Sequence, residues 1–261
     1  MADPMKIEQA VKRVRNQKAF IQDLLIDALG WDVEPHAEDV EEISFEWSAE
    51  ELRADGFDKH LVDGTIRQIR PFKGNPWGIF ILEFKNPDVF TTGRGMTGTL
   101  RKVLRGLVPS KKRSSSLAAF NRENLLFICN HDYQHYRFAH FKTPGKDGQT
   151  APLAAFGWGP GDSIRTFCEY NLNALEWPDG QPDAEGWIAA WSQAFDVEKN
   201  TKRFYEDYAA VFEKVEKLIG KQKGLKGDDL RMFTQTLFNR LMFLRFMSVW
   251  DGSPSMAART I

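Results

Sequence analysis

The chain has 261 residues, a formal net charge of −1 and 42 % hydrophobic residues. This length and hydrophobic content suffice for a packed core and exclude a wholly disordered chain. Two cysteines, Cys129 and Cys168, are too few for a disulfide framework. No apolar run reaches the roughly 20 residues that a membrane-spanning helix needs, and the polar N-terminal residues lack the pattern of a signal peptide. We therefore expect a cytoplasmic protein without a membrane partner.

Hydrophobic periodicity and turn residues predict a mixture of helices and strands. In chain order, the first predicted elements are a helix over 6–29, irregular acidic residues over 32–60 with a short helix near 49–54, and strands over 61–70 and 77–85. A helix over 97–108 follows, then strands over 124–130, 134–142 and 152–156 and a helix over 162–172. After a linker over 178–185, helices are predicted over 186–195, 198–219 and 228–250. Gly30 is the predicted stop of the first helix. Gly74 and Pro76 separate the first two strands and predict a β-hairpin. The last helix is apolar well beyond one face, which predicts a covering partner.

Charge is distributed unevenly along the chain. Acidic residues dominate between Asp32 and Asp63, whereas no aspartate or glutamate occurs between Asp88 and Glu123. The acid-free stretch carries the basic residues Arg94, Arg101, Lys102, Arg105, Lys111, Lys112, Arg113 and Arg122. A long stretch of one sign attracts a polyanion and makes its binding sensitive to salt. We predict that this stretch contacts nucleic acid, although a solvated basic face without a partner has the same composition.

Two carboxylates and a lysine are predicted to meet at one end of the hairpin. Glu83 and Lys85 share a face of the strand 77–85 because side chains alternate along a strand. Folding 61–70 back on that strand brings Asp63 towards the same end. Carboxylates hold Mg²⁺, which lowers the pKa of a bound water, and a lysine can orient that water or stabilise a pentavalent phosphate. The spacing suits metal-assisted phosphodiester hydrolysis, with a salt-bridged surface as the alternative reading.

Several stretches of the chain resemble known nucleases. The order of a helix, Asp63, the segment ILEFK and another helix resembles the PD-(D/E)xK nuclease fold. The segment QKAFIQDLLIDALGWDV is similar to the first helix of N-terminal nuclease domains in restriction enzymes. The segments LRKVLRGLVPSKKR, NLLFICNHDYQHYRFAHFK, AAFGWGPGDSIRTFCEYNLNALEWP and AFDVEKNTKRFYEDYAAVFEKVEKL are similar to N-terminal parts of type IIG fused restriction–modification enzymes. The resemblance covers nearly all of residues 6–250.

The resemblance implies a fold and a domain order. The fold is α/β (α+β): a restriction-endonuclease-like mixed central sheet flanked by helices, followed by an α-helical connector. The nuclease-like domain would occupy residues 1–177, and the connector 178–261. In the family an adenine-specific DNA methyltransferase follows the connector, and we expect that this chain lacks it. No tetrapeptide of the NPPY type occurs, so we expect no S-adenosylmethionine site here.

The resemblance also implies site residues, a cofactor and partners. By position, Asp63 and Glu83 are metal ligands and Lys85 is the catalytic lysine, with Glu8 on the first helix as an auxiliary acid. The implied cofactor is Mg²⁺, with Mn²⁺ as a substitute. The implied partners are double-stranded DNA and a methyltransferase or target-recognition domain. The basic residues assigned to DNA binding are Arg94, Arg101, Lys102, Arg105, Lys111, Lys112 and Arg113. The alternative function is a non-catalytic DNA-binding scaffold module of a phage-defence methyltransferase.

Three weaker signals have simpler explanations. The segment FGWGPGD at 156–162 resembles a cofactor-binding glycine loop, but Trp158 and Pro160 fill positions where close approach needs small residues, which favours a tight turn. Cys129, His131, His135 and His140 are residue types that bind zinc, but packing and surface positions explain them better. Tyr133, Tyr136 and Arg137 can contact DNA or simply cover a hairpin surface.

Overall fold

A computed structural model describes residues 2–31, 40–47, 64–70, 74–91, 93–107, 124–142, 154–180 and 182–250. The chain divides into two compact units, Met1–Asp196 and Val197–Ile261. The first unit contains the sheet and the shorter helices, and the second contains two long helices.

The first unit is built on a six-stranded mixed sheet with the order β1-β2-β3-β4-β5-β6. The strands are β1 (Ser44–Glu46), β2 (Thr65–Ile69), β3 (Trp77–Glu83), β4 (Asn124–His131), β5 (His135–Lys142) and β6 (Ala154–Trp158). β3 and β4 are parallel, and every other neighbouring pair is antiparallel. The predicted mixed α/β fold is therefore confirmed, as is the antiparallel β2–β3 hairpin.

The described helices are the following, in chain order. They are α1 (Pro4–Arg13), α2 (Gln17–Ala19), a π-helix (Phe20–Ala28), α3 (Val40–Ile43), α4 (Asp88–Thr91), α5 (Gly93–Leu107), α6 (Ile164–Tyr170), a 3₁₀-helix (Leu172–Leu175), α7 (Ala184–Ser192), a 3₁₀-helix (Gln193–Phe195), α8 (Val197–Lys223) and α9 (Gly227–Trp250). α4 falls between predicted elements and was missed. The two long helices of the second unit are confirmed close to their predicted positions.

Helices cover both faces of the sheet because the central strands are apolar on both faces. One face buries Ile79 and Ile81 of β3 with α1 and the π-helix. The opposite face buries Phe80 and Leu82 against Leu100 of α5 and its neighbours. Every residue of β4 is buried, which is typical of a strand enclosed by helices. The β3–α5–β4 connection thus places a helix between two parallel strands.

The first predicted helix is interrupted, which corrects the single helix expected over residues 6–29. α1 ends at Arg13, and Asn16 begins a new helix by accepting a hydrogen bond from the amide of Ala19 at 2.8 Å. Asparagine favours such caps because its side-chain oxygen satisfies an otherwise unpaired amide. The stop at Gly30 is confirmed, with φ at 69°.

The acidic stretch contains regular structure that the sequence did not indicate. α3 and β1 occupy 40–46, where irregular structure was expected, and β1 pairs with β2. The short helix predicted near 49–54 lies outside the described residues. A three-residue edge strand is too short to show a clear alternation, which explains why it was missed.

The residues after the predicted linker pack into the core of the first unit. Trp187 and Trp191 of α7 are buried in the same cluster as Trp31 and Trp77. Trp31 and Trp191 stack with ring centroids 4.7 Å apart. The first compact unit therefore continues to Asp196, later than the boundary predicted between residues 177 and 178.

The second unit pairs α8 with α9 through aromatic side chains. Phe238 of α9 lies 5.4 Å from Tyr208 and 5.2 Å from Phe212 of α8, measured between ring centroids. Several large apolar residues of α9 are nevertheless exposed, including Leu241, Phe243 and Leu244. No helix in the described part of the chain is long and apolar enough to cross a membrane.

Candidate functional site

The β2–β3 hairpin brings the beginning of β2 beside the end of β3. Thr65, the first residue of β2, is the cross-strand partner of Glu83, the last residue of β3. Asp63 precedes Thr65 by two positions in the sequence but lies outside the described residues. The hairpin and its register are therefore established, and the role of Asp63 remains a prediction.

Glu83 lies half-buried at the carboxyl end of β3, on the face that packs against α1 and the π-helix. Its Oε2 accepts a hydrogen bond from the hydroxyl of Tyr133 at 3.0 Å. Lys85 follows two residues later and is exposed. Within the described residues, neither side chain forms an ion pair. Glu83 and Lys85 thus lie at and just beyond the carboxyl end of β3, without an ion pair to any described residue.

Tyr133 reaches Glu83 from an unusual turn between β4 and β5. Asp132 and Tyr133 both have positive φ, 50° and 53°, and the amide of Gln134 donates to the carbonyl of His131 at 3.1 Å. Two consecutive residues with positive φ define a type I′ turn, for which asparagine and glycine are preferred. A bulky tyrosine in this conformation costs about 1–2 kcal/mol. The sequence gives no glycine signal here, so the link to Glu83 was missed.

Electrostatics around Tyr133 favour its neutral, proton-donating form. Burial raises the pKa of the Tyr133 phenol, and the negative charge of Glu83 together with their hydrogen bond raises it further. The charge of Arg67 opposes this shift. The phenol therefore stays protonated at neutral pH and can donate to the carboxylate throughout the physiological range.

A row of polar side chains continues from Glu83 across the next two strands. Glu83 is in register with Asn130 on β4, and Asn130 is in register with Tyr136 on β5. Asn130 is 1 % exposed and Tyr136 is 2 % exposed. Among the described residues, neither the amide atoms of Asn130 nor the hydroxyl of Tyr136 has a hydrogen-bond partner. Burial also raises the pKa of Tyr136, so its hydroxyl is a neutral donor.

Arg67 supplies a buried positive charge on the same face. It lies on β2 opposite Ile81 and is 6 % exposed. Its guanidinium donates to Gln17 Oε1 at 2.9 Å, to Ser44 Oγ at 3.2 Å and to Glu46 Oε2 at 3.2 Å. These bonds join α2 to the sheet and link β1 to β2. The sequence indicated no special role for Arg67, because its partners are distant in the chain.

The described donors fit one divalent cation only in part. The hydrogen bond from Tyr133 uses Oε2 of Glu83, and Oε1 accepts none from any described residue. Over the described ranges, no group of three or more His, Cys, Asp or Glu side chains lies close enough to hold a metal ion. Hard cations such as Mg²⁺ take oxygen ligands, including amide oxygens and water. A cation at Glu83 would therefore need Asp63 or neutral oxygen donors beside it.

Glu8 lies on α1. Its carboxylate pairs with Lys12 at 2.5 Å, one helical turn later. Burial, with a smaller contribution from the negative charge of Glu8, raises the pKa of the Cys168 thiol of α6 to about 12. No described contact joins Glu8 to Glu83, whereas Gln17 of α2 accepts a hydrogen bond from Arg67 of β2.

The basic stretch is only partly described. Arg94, Arg101, Lys102 and Arg105 lie on α5, of which Arg101 and Lys102 have described, exposed side chains. The predicted contacts Lys111, Lys112 and Arg113 lie outside the described residues. α5 packs against the sheet face opposite to Glu83, through Met96, Leu100 and Val103.

The glycine-rich segment behaves as a turn in the structure. A Cβ atom on Gly157 would lie 2.1 Å from the carbonyl oxygen of Tyr136, so glycine lets β6 approach β5. Gly161 has φ at 88°, and the amide of Gly159 donates to Asp162 Oδ2 at 2.8 Å. Strand packing and a local turn account for all three glycines.

The cysteine and histidines of types that bind zinc do not form one group within the described residues, although His131 and His135 are neighbours with ring centroids 5.6 Å apart. Cys129 is fully buried on the α5 face, whereas His140 packs on the other face, 4.5 Å from Trp77 between ring centroids. His131 Nδ1 lies 2.7 Å from the carbonyl oxygen of Phe84. Packing explains Cys129 and His140, and a backbone contact explains His131.

The chain was compared with known proteins by family, by sequence and by structure. No family model matches it, and no curated protein or solved structure is significantly similar to it.

Proposed function

We propose that the first unit is a Mg²⁺-dependent DNA endonuclease of the restriction type that hydrolyses phosphodiester bonds. The observation that carries the proposal is the pairing of Thr65 with Glu83. Because of this pairing, the start of β2, which follows Asp63 in the sequence, lies beside Glu83. The carboxylate of Glu83 forms no ion pair with any described residue. Lys85 lies two residues beyond Glu83, the last residue of β3. This is the order of groups that the PD-(D/E)xK resemblance implies.

Each side chain has a defined task in the proposed reaction. Glu83 and Asp63 hold the divalent cation, and Tyr133 fixes the orientation of Glu83 by its hydrogen bond. When bound, the cation neutralises developing negative charge and lowers the pKa of its bound water. The exposed ammonium group of Lys85 orients the attacking water or stabilises charge on the pentavalent phosphate.

DNA binding is assigned to the basic stretch. Arg94, Arg101, Lys102 and Arg105 on α5, with Lys111–Arg113, would neutralise backbone phosphates of double-stranded DNA. Phosphate contacts position the protein but carry no sequence information. Recognition of a particular sequence is therefore assigned to the methyltransferase or target-recognition domain that the type IIG resemblance implies.

Plasmid cleavage tests the proposal. Purified protein is incubated with supercoiled DNA and Mg²⁺, beside the variants Glu83→Gln and Lys85→Ala. Wild-type nicking that both variants lose is the expected result. Lys142→Ala is the matched control, because Lys142 is an exposed lysine at the other end of the sheet, opposite Asn124. This variant should nick DNA like wild type.

A different outcome would overturn the nuclease proposal. Salt-sensitive DNA binding without cleavage, unchanged by Glu83→Gln and Lys85→Ala, would instead identify a non-catalytic DNA-binding module. Cleavage that survives both substitutions would place the reaction elsewhere in the chain.

A further inference from the structure

Asn130 is a buried amide whose polar atoms have no described partner. It is 1 % exposed, and both Nδ2 and Oδ1 lack a hydrogen bond within the described residues. Folding removes such a group from water, which is unfavourable unless another group replaces the lost hydrogen bonds. Buried polar groups of this kind often mark the place of a ligand, an ion or an ordered water.

The register of the sheet places Asn130 beside Glu83. The two residues are partners on the parallel strands β3 and β4, and neighbouring strands lie about 4.8 Å apart. Their side chains share a face, since Ile81 and Ile128 two positions earlier both belong to the cluster under α1. The hydroxyl of Tyr136, next in the row, is also without a partner among the described residues.

We propose that the side-chain oxygen of Asn130 is a neutral ligand for the divalent cation bound by Glu83. This inference rests on the proposed function. An amide oxygen is a hard donor of the kind that Mg²⁺ and Mn²⁺ accept. Tyr133 occupies Oε2 of Glu83, so the carboxylate offers Oε1, and the amide oxygen supplies a second donor from the adjacent strand. The amide hydrogens of Asn130 and the Tyr136 hydroxyl remain for waters on the cation.

Cation binding tests this role independently of cleavage. The affinity for Mn²⁺ is measured by the electron paramagnetic resonance signal of the free ion. Asn130→Asp should bind Mn²⁺ about tenfold or more tightly than wild type, because a carboxylate adds charge to the site. Asn130→Leu should bind about tenfold more weakly, which is within the range for loss of groups that support a metal site.

Asn124 provides the matched control. It is the same residue type at the other end of β4, is 4 % exposed, and its Oδ1 also lacks a partner among the described residues. It pairs with Trp77 at the start of β3 and not with Glu83. Asn124→Asp and Asn124→Leu should bind Mn²⁺ with wild-type affinity.

Unfolding measurements separate binding from folding. Asn130→Leu should be at least as stable as wild type without Mn²⁺, because it removes an unpaired buried amide. Asn130→Asp should be less stable than wild type in EDTA, where two carboxylates repel, and should gain more melting temperature from Mn²⁺. If Asn130→Leu fails to fold, the Mn²⁺ affinity of Asn130→Asp still tests the inference.

Two results would overturn the inference in distinguishable ways. If Glu83→Gln abolishes Mn²⁺ binding while both Asn130 variants bind like wild type, Asn130 is not a ligand and the cation site at Glu83 stands. If wild-type protein binds no Mn²⁺, or Glu83→Gln leaves its affinity unchanged, the cation site of the proposed function fails as well.

Discussion

The hydroxyl of Tyr133 lies 3.0 Å from Oε2 of Glu83 and donates a hydrogen bond to it. The tyrosine does so from a left-handed backbone conformation, with φ at 53°. The chain therefore retains an unfavourable turn residue at the position from which a phenol reaches the carboxylate. Strained residues of this kind tend to cluster at functional sites.

Removing the hydroxyl of Tyr133 should lower the stability of the protein, whereas removing the hydroxyl of Tyr136 should not. Tyr133→Phe loses a hydrogen bond to a charged group and should lower the free energy of unfolding by about 1–2 kcal/mol. Tyr136→Phe removes a buried hydroxyl that has no described partner and should be neutral or stabilising. Urea denaturation of the two variants makes the comparison. Equal losses would show that the contact with Glu83 contributes nothing specific.

Arg67 should matter more for folding than the nearby exposed Arg70. Arg67→Met leaves Gln17 and Ser44 without their buried donor, and we expect a loss of about 1–3 kcal/mol. Arg70 is exposed after the end of β2, and its guanidinium lies 5.4 Å from the ring centroid of Phe45, so Arg70→Met should cost only about 0.5–1 kcal/mol. Chemical denaturation tests both. A small change in the free energy of unfolding for Arg67→Met would mean that the hydrogen bonds of Arg67 only offset the cost of removing its guanidinium from water.

Two glycine-to-alanine changes should have opposite effects. Gly157→Ala places a methyl group 2.1 Å from the carbonyl oxygen of Tyr136, which forces β6 away from β5 and should cost about 1–3 kcal/mol. Gly98 lies on α5 with nothing within 4 Å of an added Cβ. Gly98→Ala should stabilise the helix by about 0.5–1 kcal/mol. Melting temperatures should move in opposite directions, and a neutral Gly157→Ala would contradict the close strand packing.

Acid should destabilise the protein partly through His140. Burial, and to a lesser extent the charge of Lys142, lowers the pKa of His140 from 6.5 to about 4. The unfolded chain therefore binds the proton first, so this stabilisation is present above about pH 6.5 and is lost as the pH falls towards 4. The difference in the pKa of His140 between the unfolded and the folded chain corresponds to about 3 kcal/mol of folding stability.

The variant His140→Phe isolates this contribution. Phenylalanine keeps an aromatic ring next to Trp77, which lies 4.5 Å from the histidine ring. Between pH 7 and pH 4.5 the variant should lose less stability than wild type in urea titrations at each pH. Parallel losses at every pH would show that His140 titrates normally in the folded chain.

Truncation should locate the end of the first unit. A fragment of residues 1–196 retains Trp187 and Trp191, which pack with Trp31 and Trp77, and it should unfold cooperatively. A fragment of residues 1–177 exposes those apolar surfaces and should lack cooperative unfolding. Near-ultraviolet circular dichroism of the tryptophans during thermal denaturation distinguishes the two. Cooperative unfolding of the shorter fragment would favour the boundary at residue 177.

Local patterns predicted most of the secondary structure because each depends on neighbouring residues. The apolar run around Phe80 predicted β3, and Gly74 with Pro76 predicted the hairpin that joins it to β2. The interruption at Asn16 was missed because apolar residues continue across it at helical spacing. The short β1 was missed since three residues carry too little periodicity.

The sequence was sufficient to indicate a mixed α/β fold, a hairpin and the placement of Glu83 on a buried strand, because alternation and turn chemistry act over a few residues. Folding was needed to set Asn130 beside Glu83, since their strands pair in parallel across a long connection that leaves no periodic signal. The same holds for Tyr133, whose reach to the carboxylate follows from a left-handed turn that its residue type disfavours. Tertiary packing also carries the first unit through to Asp196, because tryptophans far apart in the chain share one core.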